Sequence, residues 1–178
     1  MKIIAIGDSI TLGFPYTQKE SWVTYFAQEL QYEVINKGVN GDLTQNISDR
    51  FERDVLAFNP THVIILGGTN DAYAEYPLES VSSNFRAMVK MSQEHGIIPI
   101  LGLPIPFLVE DYEFFLQQYR NWLIDYAKMN NLPLIDFYAP FLKRIEAGEE
   151  LKLFADEVHP SLEGYKFMAQ IVLKDLEI

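Results

Sequence analysis

The amino-acid sequence predicts a three-layer α/β fold, in which a doubly wound, five-stranded parallel sheet lies between two layers of helices. Two observations predict this. Apolar runs of strand length alternate along the chain with longer segments of helical periodicity. The runs are also nearly continuous in Val, Ile and Leu, which is typical of strands that are covered on both faces. The length of 178 residues favours a single domain over residues 1–178.

The five predicted strands follow one another at regular intervals: Lys2 to Ile6, Glu33 to Lys37, His62 to Leu66, Ile97 to Leu101 and Leu132 to Asp136. The segments between them carry apolar residues at helical spacing. One set consists of Trp22, Tyr25, Phe26 and Leu30, and another of Phe115, Tyr119, Trp122, Leu123 and Tyr126. Right-handed crossovers between parallel strands would place these helices on both faces of the sheet.

The composition excludes several classes of protein. Fourteen Lys and Arg against 25 Asp and Glu give a net charge of −11, so we expect no nucleic-acid partner. The absence of cysteine excludes a thiolate metal site and a cysteine nucleophile. The N-terminal apolar run ends at Asp8, and the longest uncharged stretch, Ile97 to Val109, is too short to span a bilayer. We therefore expect a cytoplasmic protein without membrane insertion, and its oligomeric state stays open.

Small, polar and glycine-rich segments follow the first three strands. They are Gly7-Asp8-Ser9-Ile10-Thr11, Gly38-Val39-Asn40-Gly41-Asp42 and Gly67-Gly68-Thr69-Asn70-Asp71. In an open parallel sheet the functional crevice lies beyond the carboxyl ends of the strands, where these segments fall. Each segment alone could be an ordinary turn in which Asp or Asn caps the next helix. Three together indicate a site that brings backbone N–H groups close to a substrate.

Ser9 is a candidate nucleophile, which would need a histidine base and a carboxylate that orients the base. His62 opens the third strand at the end opposite the crevice, and His95 precedes a glycine at a helix C-terminus. His159 lies in a loop after the last strand, three residues beyond Asp156, and Pro160 can serve as the first residue of the final helix. Spacing alone leaves open that Asp156 or Ser161 merely caps that helix.

Four ordered blocks resemble the SGNH hydrolases, also called GDSL-type esterases and lipases. Gly7-Asp8-Ser9 resembles the nucleophile block, with Ile10 in place of Leu. The other blocks are Asn36-Lys37-Gly38-Val39-Asn40-Gly41, Gly68-Thr69-Asn70-Asp71 and Asp156-Glu157-Val158-His159-Pro160. The resemblance implies a flavodoxin-like fold without metal or cofactor, a nucleophile Ser9, a general base His159 and an orienting Asp156. It also implies an oxyanion hole formed by the N–H groups of Ser9 and Gly41 and the side-chain amide of Asn70.

These expectations describe a hydrolase of small, neutral carboxylic esters with short acyl or acetyl groups, acting through an acyl-enzyme intermediate. A lysophospholipase or thioesterase would share the same catalytic set. A Mg²⁺-dependent phosphohydrolase could use Asp8, Asp42, Asp71 and Asp156, although Ile10 stands where an aspartyl nucleophile would want a second acid. A non-catalytic, flavodoxin-like binding module is a further alternative, but no G-x-G-x-x-G motif follows the first strand.

The residues that contact the substrate are less defined by the sequence. Phe14 and Tyr73, expected in loops, and Ile105 and Phe107, after the fourth strand, could line an acyl or leaving-group pocket. They could equally cover the edge of the sheet. For Asp8, Asp42 and Asp71 we expect hydrogen bonds that order the loops.

Overall fold

The computed structural model describes residues 1–30 and 32–176. Its five strands are β1 (Lys2–Gly7), β2 (Glu33–Gly38), β3 (His62–Leu66), β4 (Ile98–Leu103) and β5 (Leu134–Asp136). All neighbouring pairs are parallel, in the order β2-β1-β3-β4-β5. Ala5 in β1 is aligned with Asn36 in β2 and with Ile64 in β3. The predicted five-stranded parallel sheet is confirmed, and the strand that leads to Ser9 lies inside it.

Three strands end one or two residues later than predicted, at Gly7, Gly38 and Leu103. Two strands also begin later than predicted. Ile97 lies before β4, because its N–H donates to the carbonyl of Ser92 at 2.9 Å and closes the preceding helix. The fifth strand begins at Leu134 instead of Leu132. Leu132 bonds back to Ala127 at 2.9 Å, and Pro133 has no N–H to donate to a neighbouring strand.

Ten α-helices occur in the described residues. They are α1 (Ser9–Leu12), α2 (Trp22–Gln28), α3 (Thr44–Asp49), α4 (Phe51–Asp54), α5 (Thr69–Tyr73), α6 (Leu78–Glu94), α7 (Glu110–Asn130), α8 (Tyr138–Glu146), α9 (Glu150–Leu153) and α10 (Leu162–Asp175). Short 3₁₀ turns lie at Gln18–Glu20 and Leu56–Phe58. The predicted helical pattern around Trp22 extends to Leu30, but α2 itself ends at Gln28.

The two faces of the sheet bury separate hydrophobic clusters. In β1, Ile3 and Ala5 belong to one cluster, which contains Trp22 of α2 and Met168 of α10. Ile4 and Ile6 point to the opposite cluster, which is formed largely by α6 and α7. Because successive residues of a strand point to opposite faces, a strand covered on both sides must be apolar throughout. This is the physical origin of the continuous apolar runs.

No helix within residues 1–30 and 32–176 has the length and apolar character needed to cross a bilayer. The cytoplasmic location stays a prediction. The single domain over residues 1–178, of which Gln31, Glu177 and Ile178 lie outside the described residues, also stays a prediction.

Candidate active site

Ser9 lies at the turn between β1 and α1, at the carboxyl edge of the sheet. Asp8 caps α1, because its Oδ1 accepts the N–H of Ile10 at 2.9 Å. A Cβ atom at Gly7 would lie 2.3 Å from both the carbonyl oxygen of Leu66 and Oγ1 of Thr11, so only glycine fits there. This close approach lets the chain turn from strand to helix within two residues. Ser9 is 8% exposed at the start of α1.

Ser9, His159 and Asp156 form a continuous line of polar contacts. Ser9 Oγ lies 3.1 Å from His159 Nε2, although 150 residues separate them in sequence. His159 Nδ1 lies 2.8 Å from Asp156 Oδ2. Burial alone would raise the pKa of Asp156, but hydrogen bonds from the backbone N–H groups of His159 and Val158 and from the imidazole hold that pKa below its ordinary value. Asp156 is therefore a stable anion beside the imidazole.

The loop before α10 leaves Asp156 available for His159. Ser161 caps α10, because its Oγ accepts the N–H of Gly164 at 3.1 Å. Asp156 is not the cap, and the prediction that Pro160 is the first residue of the final helix is wrong, since α10 begins at Leu162. The N–H of Ala155 donates to the carbonyl of His159 at 2.8 Å and closes the loop.

Phe14 packs directly against the imidazole. Its ring centroid lies 4.6 Å from that of His159, with the two planes tilted by 59°. The hydroxyl of Tyr165, a buried residue of α10, donates to the carbonyl of Phe14 at 2.6 Å. Tyr165 therefore anchors the residue that covers one side of His159. The sequence does not single out Tyr165, because a buried tyrosine hydroxyl usually finds some partner and only the folded chain shows which one.

The segments that contain Gly41 and Asn70 are tied together. The side-chain amide of Asn70, in α5, donates to the carbonyl of Asp42 at 2.9 Å. Gly41 has φ +78°, a left-handed conformation that favours glycine, and a Cβ atom there would meet nothing within 4 Å. The residue is therefore a glycine because of its backbone conformation, and its Cα faces open space.

The three acidic residues of the strand-end loops make the expected loop-ordering hydrogen bonds. Asp71 accepts the N–H and the hydroxyl of Thr44 at 2.9 and 2.6 Å. Asp42 accepts Nε of Arg50 at 2.7 Å. Asp8 is buried, and burial raises its pKa to about 7, with smaller contributions from the charges of Asp71 and Asp42. Within the described parts of the chain, no three His, Asp or Glu side chains are grouped to hold a metal ion.

The four predicted substrate contacts have different surroundings. Tyr73 is 63% exposed and is the last residue of α5, not part of a loop, and its ring lies 4.9 Å from that of Tyr112. Phe107 also lies against Tyr112, with ring centroids 5.2 Å apart. Ile105 is buried in the hydrophobic cluster that contains Ile3 and Ala5 of β1, and its part in a substrate pocket stays a prediction. Phe14 and Tyr73 are the most exposed of the four.

Arg50 is a second residue that the sequence analysis missed. Its guanidinium is buried, and it donates to the carbonyls of Gly7 and Lys37 as well as to Asp42. Arg50 lies in a run of alternating charges between residues 49 and 54, which usually indicates a solvent-exposed helix face. No sequence signal separates this arginine from its exposed neighbour Arg53.

Comparison with known proteins places these residues in a family context. Residues 5–167 match the model of the GDSL-like Lipase/Acylhydrolase family. An acetylxylan esterase from Geobacillus stearothermophilus is 27% identical over 98% of this chain and 93% of its own. An arylesterase from Vibrio mimicus is 23% identical over 98% of this chain and 88% of its own. A solved structure from Desulfitobacterium hafniense DCB-2, assigned to the lipolytic G-D-S-L family, is 38% identical, with a TM-score of 0.90 over 98% of both chains.

Proposed function

Because the chain belongs to the GDSL-like lipase/acylhydrolase family, we propose that it is a serine esterase that cleaves small, neutral carboxylic esters with short acyl groups. The observation that carries the proposal is the line of contacts from Ser9 Oγ through the imidazole of His159 to Asp156. A serine hydroxyl is a weak nucleophile by itself, and a histidine within hydrogen-bond distance can remove its proton during attack.

The roles of the three side chains follow from their contacts. Asp156 faces Nδ1 of His159, so the carboxylate favours the tautomer in which Nδ1 carries the proton and Nε2 is free to accept one. Nε2 takes the proton of Ser9 as Oγ attacks the ester carbonyl carbon. The resulting imidazolium then protonates the departing alkoxide, which leaves an alcohol and an acyl-enzyme. In the second half-reaction, His159 removes a proton from water while the water oxygen attacks the acyl carbon. The bond from that carbon to Ser9 Oγ then breaks, the imidazolium returns the proton to Oγ, and the carboxylic acid leaves.

Negative charge develops on the carbonyl oxygen during both attacks. We propose that the backbone N–H groups of Ser9 and Gly41 and the side-chain amide of Asn70 stabilise this charge. Fixed, uncharged donors are effective in this role because they need no reorganisation when the charge appears. The contact between Asn70 and the carbonyl of Asp42 supports the assignment, since it joins the segments that carry the second and third donors.

Two observations support neutral substrates. A net charge of −11 disfavours polyanionic substrates. The aromatic rings of Phe14 and Tyr73 are exposed on the surface, and the ring of Phe14 lies beside His159, where a leaving group could pack. The acetylxylan esterase and arylesterase among the relatives support a carboxylic ester as the scissile group. We propose acetyl esters as the preferred substrates. Lysophospholipids and thioesters are the alternative substrates to be compared with them.

The contacts of the acidic residues favour the serine mechanism over a Mg²⁺-dependent phosphohydrolase. Asp42 is paired with Arg50, Asp71 with Thr44, and Asp156 with His159. Each of these three carboxylates thus already accepts a hydrogen bond from a protein group.

A substrate panel tests the proposal. The kcat/KM values of p-nitrophenyl esters from acetyl to palmitoyl should be compared with those of acetylated xylose, a lysophospholipid and an acyl thioester. We expect the highest value among acetyl to butyryl oxyesters. Ser9→Ala and His159→Ala should each lose about 10⁴- to 10⁶-fold in kcat, and the double variant little more, because the residues act as a unit. Ser83→Ala, on an exposed position of α6, is the matched control.

Two results would contradict the proposal. A preference for palmitoyl esters or lysophospholipid would overturn the substrate class but keep the serine mechanism. Hydrolysis by Ser9→Ala at the wild-type rate would overturn the mechanism itself.

A further inference from the structure

Arg50 contacts the carboxyl ends of two strands and the loop that follows one of them. Its Nη2 donates to the carbonyl of Gly7 at 2.9 Å, at the end of β1. Its Nη1 donates to the carbonyl of Lys37 at 2.9 Å, near the end of β2. Its Nε donates to Asp42 Oδ2 at 2.7 Å, in the loop after β2. One side chain, 9% exposed, therefore joins three separate points of the chain, which are two backbone carbonyls and one carboxylate.

These three points lie next to the proposed oxyanion donors. Gly7 is two residues before Ser9, and its carbonyl also accepts the N–H of Val39 at 3.0 Å. Asp42 directly follows Gly41, and the carbonyl of Asp42 accepts the amide of Asn70 at 2.9 Å. The guanidinium therefore contacts two of the donor segments directly and the third through Asp42.

The other contacts of Arg50 do not explain its position. Nη1 also lies 3.1 Å from Asp54, but Arg53 bonds the same carboxylate at 2.8 Å, and Lys37 lies 3.7 Å from it. Asp54 would thus keep two cationic neighbours without Arg50. The carbonyls of Gly7 and Lys37 and the carboxylate of Asp42 would each lose the donor that Arg50 supplies. The planar fork of a guanidinium reaches several acceptors at once, which an ammonium group on a single stem cannot do.

We propose that Arg50 is a positioning residue that holds the three oxyanion donors in their relative places. The inference rests on the proposed function, since it needs Ser9, Gly41 and Asn70 to act as those donors. Donors stabilise a developing charge only when their geometry is fixed beforehand, and a displacement of about 1 Å can cost about 100-fold in rate. Loss of Arg50 should therefore lower kcat while KM changes little, because the donors act mainly in the transition state.

The test compares Arg50→Lys with Arg53→Lys by steady-state kinetics on p-nitrophenyl acetate. We expect Arg50→Lys to lower kcat by about 10- to 100-fold with KM changed less than about threefold. Arg53 is exposed and its contacts lie at Asp54, so Arg53→Lys should keep the wild-type kcat. Guanidinium ion at a non-denaturing concentration should restore part of the activity of Arg50→Ala. Asp42→Asn is a second test that can be used if the arginine variants fail to fold. It keeps the guanidinium and the side-chain volume at position 42, and it should also lower kcat.

Asn70→Ala separates this inference from the proposed function. If Arg50 acts through the donors, the double variant of Arg50→Lys and Asn70→Ala should lose less than the product of the two single losses. Wild-type kcat in folded Arg50→Lys, or a raised KM at constant kcat, would overturn the positioning role while the proposed function stands. Wild-type kcat in Asn70→Ala would overturn the oxyanion assignment, and the role of Arg50 with it.

Discussion

Replacing Asp8 with Asn is expected to change how the free energy of unfolding depends on pH. Asp8 is 1% exposed, and its Oδ1 accepts the N–H of Ile10. Its Oδ2 is buried and has no hydrogen-bond partner in the described part of the chain. Burial, together with the nearby charges of Asp71 and Asp42 and against the hydrogen bond from Ile10, raises the pKa of this carboxyl from 3.8 to about 7. An Asn side chain keeps the acceptor for Ile10 and cannot ionise.

The magnitude and sign follow from proton linkage. Well below pH 3.8 the Asp8 carboxyl is protonated in both the folded and the unfolded chain, so it adds no pH dependence to the free energy of unfolding. Between about pH 4 and 7 only the unfolded chain releases the proton, so the free energy of unfolding falls as the pH rises. The loss is complete above about pH 7. At about 1.4 kcal/mol for each pKa unit, the change from 3.8 to about 7 amounts to about 4 kcal/mol.

Urea unfolding, followed by the fluorescence of the two tryptophans, measures this difference at several pH values. The stability of Asp8→Asn relative to the wild type should increase with pH by up to about 4 kcal/mol between pH 4 and 7 and then stay constant. Asp125→Asn is the control, because it removes a carboxylate that is exposed in α7 rather than buried. A difference that is independent of pH, or that decreases with pH, would refute the reasoning.

Three further substitutions test neighbouring contacts. Asn70→Ala should lower kcat by about 10²- to 10³-fold, a loss of about 3 to 4 kcal/mol of transition-state stabilisation, with KM little changed. Steady-state kinetics that show only a raised KM would count against the oxyanion role. Asp156→Asn should lower kcat/KM by about 10³- to 10⁴-fold in mildly alkaline buffer, because the amide no longer favours the required tautomer of His159, and an unchanged rate would remove its orienting role. Tyr165→Phe removes the donor to the carbonyl of Phe14 and should cost about 1 kcal/mol in urea unfolding, whereas unchanged stability would mean that water replaces the phenol.

The sequence predicted the sheet well because burial on both faces leaves a direct trace in residue type. The run from Ile3 to Ile6 is apolar throughout, since alternate residues enter different clusters. The boundaries were harder, because they depend on single hydrogen bonds. The start of the fifth strand follows from the missing N–H of Pro133 and from the bond between Leu132 and Ala127, neither of which apolarity reports.

The site could be predicted only where residue type and position coincide. Ser9, Asn70 and His159 follow strands or precede a helix, and their side chains carry recognisable chemistry. Arg50 and Tyr165 act through carbonyl groups of distant residues, and only the folded chain shows which carbonyls those are. The cap of α10 was ambiguous for the same reason. Asp156 and Ser161 are both good caps, and they are distinguished by the N–H of Gly164 on Ser161 and by the imidazole of His159 on Asp156.

The most direct test of the central claim is covalent labelling with a fluorophosphonate, which reacts with activated serines. Intact-mass analysis followed by peptide mapping should show one adduct per chain, on Ser9. Labelling should be much slower in His159→Ala, because Ser9 then lacks the group 3.1 Å away that accepts its proton. An adduct on Thr11, on Ser21 or on any residue other than Ser9 would contradict the account. So would a protein that hydrolyses acetyl esters but acquires no adduct.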